Sequence, residues 1–259
     1  MRPEFASDAN HTILQLDDVG KTFRSDAGAD VTALASVDLT IRQGEFVTLV
    51  GATGCGKTTL LDLAAGITEP SAGHLRRGSG VRLGQSVAYV FQHYTLFPWR
   101  TTLTNVAFGL QMRGIGRRQA RTCAMELLAR VGLAGFEKGR PHELSGGMRQ
   151  RAAIAQALAI EPVLLLMDEP FGAVDDATRA ELQRMLVDLW QDRGMTILFV
   201  THNIDEAILL GTRVVVFGGP PGRVVRQFDI DLPRPRDRNM KPFTNLFLDV
   251  RQALAGGLD

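Results

Sequence analysis

Between the apolar run Phe46-Val47-Thr48-Leu49-Val50 and the helix-forming run Leu60-Leu61-Asp62-Leu63-Ala64-Ala65, the chain reads Gly51-Ala52-Thr53-Gly54-Cys55-Gly56-Lys57-Thr58-Thr59. Gly51, Gly54 and Gly56 let the backbone bend so that its N–H groups face inward, and the helix that follows offers its positive end to an anion. The spacing is that of a phosphate-binding loop, G-x-x-x-x-G-K-[ST], and a strand before it and a helix after it are the context that motif requires. Lys57 is placed to reach the β- and γ-phosphates of a nucleotide, and Thr58 to offer its hydroxyl to Mg²⁺. A turn of this kind constrains the fold before anything else is read, because it belongs at the carboxyl end of a strand in an α/β sheet.

The rest of the composition is compatible with such a sheet. Of the 259 residues 45% are hydrophobic, enough for a sizeable core in one large domain or two small ones, and the net charge is +1. That balance predicts no nucleic-acid partner. Apolar runs are too short to cross a bilayer, and the opening Met1 to Asp8 lacks the apolar centre of a secretory signal, so a soluble cytoplasmic protein is expected. Two cysteines, Cys55 and Cys123, make neither a disulfide framework nor a metal cluster. Cys123 reads as core and Cys55 as a small residue that fits the loop, with thiol reactivity among the loop amides as the other reading.

Before the loop, Ile13 to Phe23 and Val31 to Ile41 alternate as two half-buried antiparallel strands joined by the polar Ser25 to Asp30 turn. After it, Gly66 ends a helix and a β region closes on Val87-Ala88-Tyr89-Val90-Phe91, with Gln92 at its tip. Thr102 to Arg113 and Gly116 to Val131 read as two helices of an inserted unit, the second burying Ala120, Cys123, Ala124, Leu127, Leu128 and Val131. In the connection before them, Tyr94, Leu96, Phe97 and Trp99 are either a partner surface or part of the core. Arg117, Arg118 and Arg121 form a solvated face, or alternatively a contact for lipid headgroups.

Leu144-Ser145-Gly146-Gly147-Met148 opens a small-residue helix with a serine cap, a second helix start with exposed N–H groups. Val163 to Met167 is a continuous apolar run, as for a strand buried on both faces of a parallel sheet, and it ends in Asp168-Glu169-Pro170. Adjacent carboxylates at the tip of a buried strand are costly unless a cation or a proton-transfer role compensates them. Asp168 is accordingly the expected Mg²⁺ carboxylate and Glu169 the group that polarises an attacking water. Thr196 to Thr201 forms the next buried strand, and His202 leaves it as Glu169 leaves the earlier one, so both should face one site. Asp176 to Asp192 is a packing helix, Arg213 to Phe217 and Gly222 to Phe228 close the sheet, and Phe243, Leu246, Phe247 and Val250 suit a terminal helix against the core or a partner.

Together these residues resemble the ATP-binding subunit of ATP-binding cassette (ABC) transporters, from Leu14 to Asp237. The resemblance implies a RecA-like P-loop NTPase fold: a mainly parallel sheet, an N-terminal antiparallel β subdomain, and a helical subdomain inserted at about 93–157. The cassette would span residues 12–231 and a short tail 232–259. By the same resemblance Phe23 stacks on adenine; Gly51, Ala52, Thr53, Gly54, Cys55, Gly56, Lys57, Thr58 and Thr59 hold the phosphates; and Thr58, Gln92 and Asp168 attend Mg²⁺. Glu169 is the catalytic base, His202 contacts the γ-phosphate, and Asp175 crosses the dimer interface. Ser145, Gly146 and Gly147 correspond to the family signature, which completes the ATP site of a second cassette in trans. Met148, Val174 and Ala52-Thr53 depart from the usual glutamine, leucine and proline-serine, and hydrolysis is expected to survive all three.

Phe97-Pro98-Trp99-Arg100, Asn105 to Leu110, Pro221-Gly222-Arg223-Val224 and Pro233 to Asp237 are similar to the nitrate, sulfonate and taurine import group. That implies a homodimer on the cytoplasmic face of the inner membrane, transmembrane permease subunits docked near Tyr94, Leu96, Phe97 and Trp99, and an extracytoplasmic binding protein. The rival readings are a soluble cassette ATPase acting on DNA or ribosomes, a regulatory subunit without turnover, and an exporter motor. Long heptads or a duplicated cassette would mark the first, and loss of Glu169 or His202 the second; the sequence has neither feature.

Overall fold

The computed structural model describes residues 11–24, 28–172 and 174–257. Met1 to Asp8, and Ser25 to Ala27 of the expected turn, lie outside them. Strand β1 (Thr12–Arg24) pairs antiparallel with β2 (Asp30–Arg42), and the far edge of β1 pairs with β4 (Ala72–Arg77), giving a three-stranded sheet. The second sheet has the order β5 (Val87–Val90), β6 (Leu164–Asp168), β7 (Thr196–Thr201), β3 (Phe46–Gly51), β8 (Arg213–Gly218), β9 (Arg223–Asp229). Its strands run parallel except β9, which returns from β8 as an antiparallel edge. Every residue of β3, β6, β7 and β8 is buried, as continuous apolar runs covered on both faces require.

Two layers cover this sheet. On one side α1 (Lys57–Ala65) and the antiparallel sheet share a core in which Leu60, Leu61 and Leu63 meet Leu14, Leu39 and Leu198. On the other, α4 (Arg117–Arg130), α5 (Gly146–Ala159) and α6 (Asp176–Arg193) pack with Phe46, Phe171 and Phe199. Each fully buried Leu or Phe in these layers contributes roughly 1.5–3 kcal/mol. The single helix expected over Thr102–Arg113 is two: α2 (Thr102–Val106) and α3 (Phe108–Met112), with Ala107 at the junction. Ala107 keeps right-handed helical angles (φ −69°, ψ −15°), donates to the Leu103 carbonyl (2.9 Å) and accepts from Gln111 N–H (3.1 Å), so the two helices run on through one loosened turn, with Phe108 edge-on to the Phe97 ring at 4.9 Å and Gly109 against Ile160.

The loop before α2 divides its apolar residues. Leu96 is buried and Phe97 half-buried, while Tyr94 is exposed and Trp99 retains 70% of its accessible surface. Neither expected reading therefore holds for the whole segment. Of the predicted α4 face, Ala120, Ala124, Leu127, Leu128 and Val131 are buried and Cys123 packs at the margin. At the end of the chain α8 (Lys241–Gly256) buries Phe243 and Val250 in a third cluster with β8 and α7 (Ile204–Leu210), so the terminal helix packs on its own core.

Candidate active site

The strand order fixes the geometry of the site: β6, β7 and β3 are neighbours, so their carboxyl ends open on one edge of the sheet. Gly51 ends β3 in a space that admits no side chain, since a Cβ there would lie 2.4 Å from the Phe217 carbonyl oxygen and 2.8 Å from Cys55 Sγ. Gly56 caps α1 at φ 96°, and a Cβ would lie 2.7 Å from the Ala33 carbonyl of the overlying β2. Ala52 is half-buried, Thr53, Gly54 and Thr58 are exposed, and Thr59 is half-buried on the first turn of the helix. The Lys57 ammonium is buried and donates to the carbonyls of Gly51 (2.9 Å) and Ala52 (2.8 Å), which anchors it at the mouth of the loop. Burial pushes the Cys55 thiol up against the opposing pull of Lys57, so the thiol stays protonated and behaves as a core group.

Across the loop, Asp168 is 6% exposed and accepts a hydrogen bond from Thr58 Oγ1 at 2.8 Å. Burial raises its pKa, the Thr58 bond opposes the rise, and the neighbouring carboxylates of Glu169 and Asp62 add to it. A divalent cation at this point would compensate the buried charge. The donor set suits Mg²⁺, which takes one or two protein oxygens and leaves its other positions to phosphate and water. No group of three or more His, Cys, Asp or Glu side chains that could hold a metal ion forms among the described residues.

Glu169 follows at φ 43°, a left-handed conformation unusual for a non-glycine residue and common at functional sites. Its N–H donates to Val200 O (3.0 Å), which ties the tip of β6 to β7, and its Oε2 lies 2.9 Å from His202 Nδ1. The imidazole is otherwise open to solvent. Lys57, Thr58, Asp168, Glu169 and His202 are thus assembled by one sheet edge. Gln92 lies beyond β5, exposed, with no hydrogen bond to Asp168 or Thr58 among the described residues. Phe23 is exposed near the end of β1 with Lys21 Nζ 4.9 Å from its ring centroid; it is not a core aromatic.

A second surface carries the remaining candidates. Exposed Ser145 caps α5 by accepting from Met148 N at 3.3 Å. Gly147 lies against α6, where a Cβ would sit 2.6 Å from Thr178 Cγ2. Thr178 is held in turn by Asp175, which accepts from its N–H (3.0 Å) and its hydroxyl (2.8 Å); these bonds draw the Asp175 carboxyl below its usual range. Ser145, Gly146, Gly147 and Asp175 therefore share one face, and no hydrogen bond joins them to the phosphate loop among the described residues. Arg149, two residues on, stacks over the Tyr94 ring at 4.8 Å and so links α5 to the loop before α2. Sequence reasoning missed the buried side chains behind His202, namely Thr201, Gln183 and Glu206; their only sequence signal is Glu206 in the first turn of α7, which reads as ordinary dipole compensation.

A phosphate loop, a buried carboxylate bonded to its threonine and a glutamate with left-handed backbone on one sheet edge define a P-loop nucleoside triphosphatase. The ABC transporter family model matches residues 34–172, and the chain belongs to that family as an ATP-hydrolysing cassette. It is 46% identical over 232 residues to an uncharacterised ABC transporter ATP-binding protein of Methanocaldococcus jannaschii, covering 89% of this chain and 86% of that one. It is 47% identical over 201 residues to the taurine import ATP-binding protein TauB of Yersinia pestis, covering 77% and 79%. It is 43% identical over 246 residues to the nitrate import ATP-binding protein NrtC of Synechococcus elongatus, covering 93% of this chain and 37% of that longer one. Among solved structures, the dimeric bacterial ABC transporter cassette MJ0796 aligns at TM-score 0.76 and 30% identity over 85% of this chain and all of that one. A post-hydrolysis state of the same cassette with ADP and Pi aligns equally well.

Proposed function

We propose that this chain is the motor of an importer for a small anion of the nitrate, sulfonate or taurine kind. The observation that carries the chemical part is the Glu169–His202 pair beside the Thr58–Asp168 pair on one sheet edge. In this reading the loop amides and Lys57 cradle the phosphates of ATP, and Phe23 stacks on adenine. Mg²⁺, held by Thr58 and Asp168 with Gln92 nearby, would neutralise charge on the phosphates. Glu169 accepts a proton from the attacking water, and His202 holds that carboxylate in place and meets the γ-phosphate. Ser145, Gly146, Gly147 and Asp175 serve the site of a second cassette, so ATP closes a homodimer and hydrolysis reopens it.

Relatives named as nitrate and taurine import subunits support the transport branch. Permease subunits would dock on the loop that carries Tyr94, Leu96, Phe97 and Trp99, where Trp99 stands out from the surface beside Phe97. No described helix is long and apolar enough to cross a membrane. The cassette would accordingly sit on the cytoplasmic face of the membrane as a peripheral subunit, with an extracytoplasmic binding protein supplying the anion. The test is uptake of labelled nitrate, taurine, an alkanesulfonate and an aromatic carboxylate by cells carrying wild type or Glu169→Gln. Loss of uptake of one anion is expected. Unchanged uptake of all four would count against this branch.

A further inference from the structure

Behind His202 the structure buries a carboxylate with no salt-bridge partner among the described residues. Glu206, on the first turn of α7, is 5% exposed, and both its oxygens are used: Oε1 accepts from Gln183 Nε2 at 2.9 Å and Oε2 from Thr201 Oγ1 at 2.5 Å. Burial pushes its pKa up against those two bonds and the nearby Arg179 charge. A buried carboxylate that only capped a helix would be an expensive choice, since an exposed one serves as well.

What the carboxylate holds is the backbone on either side of His202. The Thr201 hydroxyl, fixed by Glu206, accepts from Asn203 N–H at 3.0 Å and so closes a tight turn with His202 at its centre. Asn203 Oδ1 accepts from Glu206 N–H at 3.1 Å, which completes the ring of contacts. On the opposite side Gln183 belongs to α6, four residues after Arg179. Arg179 binds the carbonyls of Phe171 (3.3 Å) and Val174 (3.0 Å), in the segment that runs from Glu169 to Asp175. One buried side chain thus connects the turn carrying His202 to the helix that steadies the segment after Glu169.

We propose that Glu206 is a positioning residue: through Thr201 and Gln183 it holds the His202 imidazole in register with the Glu169 carboxylate. This rests on the reading of Glu169 and His202 as the catalytic pair. The bonds give the pair a defined donor and acceptor order, and that order can be inverted. In Glu206→Met a side chain of similar length carries neither acceptor and both contacts are lost, whereas in Glu206→Gln the Gln183 amide can turn over and present its oxygen to the new amide. In the exchange Gln183→Glu with Glu206→Gln, the amide at 206 donates to the carboxylate at 183 while its oxygen still accepts from Thr201. Volume and charge are conserved.

The experiment measures ATP turnover by the full chain, affinity for a fluorescent ATP analogue, and melting temperature, for wild type, Glu206→Met, the exchanged pair and His202→Ala. Misplacing a reacting group by about 1 Å costs up to about 100-fold, so Glu206→Met is expected to lower kcat by about tenfold to a hundredfold with analogue affinity and KM little changed. The exchanged pair should recover most of kcat, as contacting residues in one network are non-additive. Wild-type kcat in Glu206→Met would overturn the proposal. So would a joint fall of melting temperature, affinity and kcat that the exchange repairs only in melting temperature, since that is what packing alone would give. Normal turnover in His202→Ala would instead remove the underlying reading of the pair, a result distinguishable from either.

Discussion

Two helix starts in this chain are built from the same materials and meet opposite fates. The N-terminus of α1 is roofed by β2 and flanked by residues from β6 and β7, so Gly56, Lys57, Thr58, Asp168, Glu169 and His202 are neighbours within one chain. The N-terminus of α5 has a serine cap and two glycines of its own, but Ser145 is exposed and its neighbour is the Asp175–Thr178 turn, not a strand end with chemistry. One is a nearly finished site. The other is, in the function proposed above, half of one that a second cassette would complete, and a similar cassette is solved as a dimer.

The largest effect that would test this contrast is at the finished site. Glu169→Gln keeps the size of the side chain but removes the carboxylate proposed as proton acceptor, so turnover should fall by about 100-fold to 10,000-fold. Nucleotide binding should persist, and size-exclusion chromatography with ATP should show a stable dimer. Normal hydrolysis in this variant would mean the acceptor lies elsewhere. Next in size, Lys57→Ala removes a buried ammonium from the loop. A hydrogen bond to a charged group contributes about 1.5–3 kcal/mol, so nucleotide affinity should drop by about tenfold or more, measured by titration calorimetry. Unchanged affinity would show that the loop amides alone hold the phosphates.

The finished site was also the more legible in sequence. Gly51 to Thr59 is a contiguous motif whose every residue acts locally, and the strands ending in Asp168 and Thr201 announce themselves as continuous apolar runs. What joins them is a strand order, and topology rules supply that. The helical unit was less legible, because the local helix pattern carries no trace of the loosened turn at Ala107 or of the packing of Phe108 and Gly109 on Phe97 and Ile160. The loop from Tyr94 to Trp99 was ambiguous for the same reason, and the structure divides it residue by residue. Thr201, Gln183 and Glu206 were invisible, since a polar network spread over α6, β7 and α7 has no spacing to read. The run from Pro233 to Asp237 was legible only as a family motif, and its contacts were not: Arg234 donates to the Leu209 carbonyl (2.7 Å) and Arg236 to the Ile208 and Gly211 carbonyls (2.5 Å each), so the tail caps the end of α7.

The open half-site gives smaller effects. Gly147→Ala places a methyl 2.6 Å from Thr178 Cγ2, and Thr178 cannot yield freely because Asp175 holds it twice. Overpacking of this kind costs about 1–3 kcal/mol, enough to weaken ATP-driven dimerisation by about tenfold while the phosphate loop keeps its affinity. Thr178→Ser removes the clashing methyl and leaves the hydroxyl that Asp175 accepts from, so the double variant should dimerise again. If dimerisation is unaffected by Gly147→Ala, the face that holds Ser145 and Asp175 is not the one that meets a second cassette.

The smallest effect separates backbone from side chain at that face. Met148 supplies the N–H that Ser145 caps, while its own side chain packs against the helical core. Restoring the glutamine usual in the family changes a partly buried thioether to an amide and leaves the cap in place. If the turn works as an anion site through its amides, as helix starts do, hydrolysis by Met148→Gln should stay within about threefold of wild type. The variant should also lose a little stability, on the order of 1 kcal/mol, from the apolar contact it gives up. A large rise in turnover with unchanged melting temperature would show instead that the side chain at 148 reaches the partner's nucleotide. In that case the two helix starts would differ in kind as well as in completeness, one binding through its backbone and the other through a side chain that this chain has replaced.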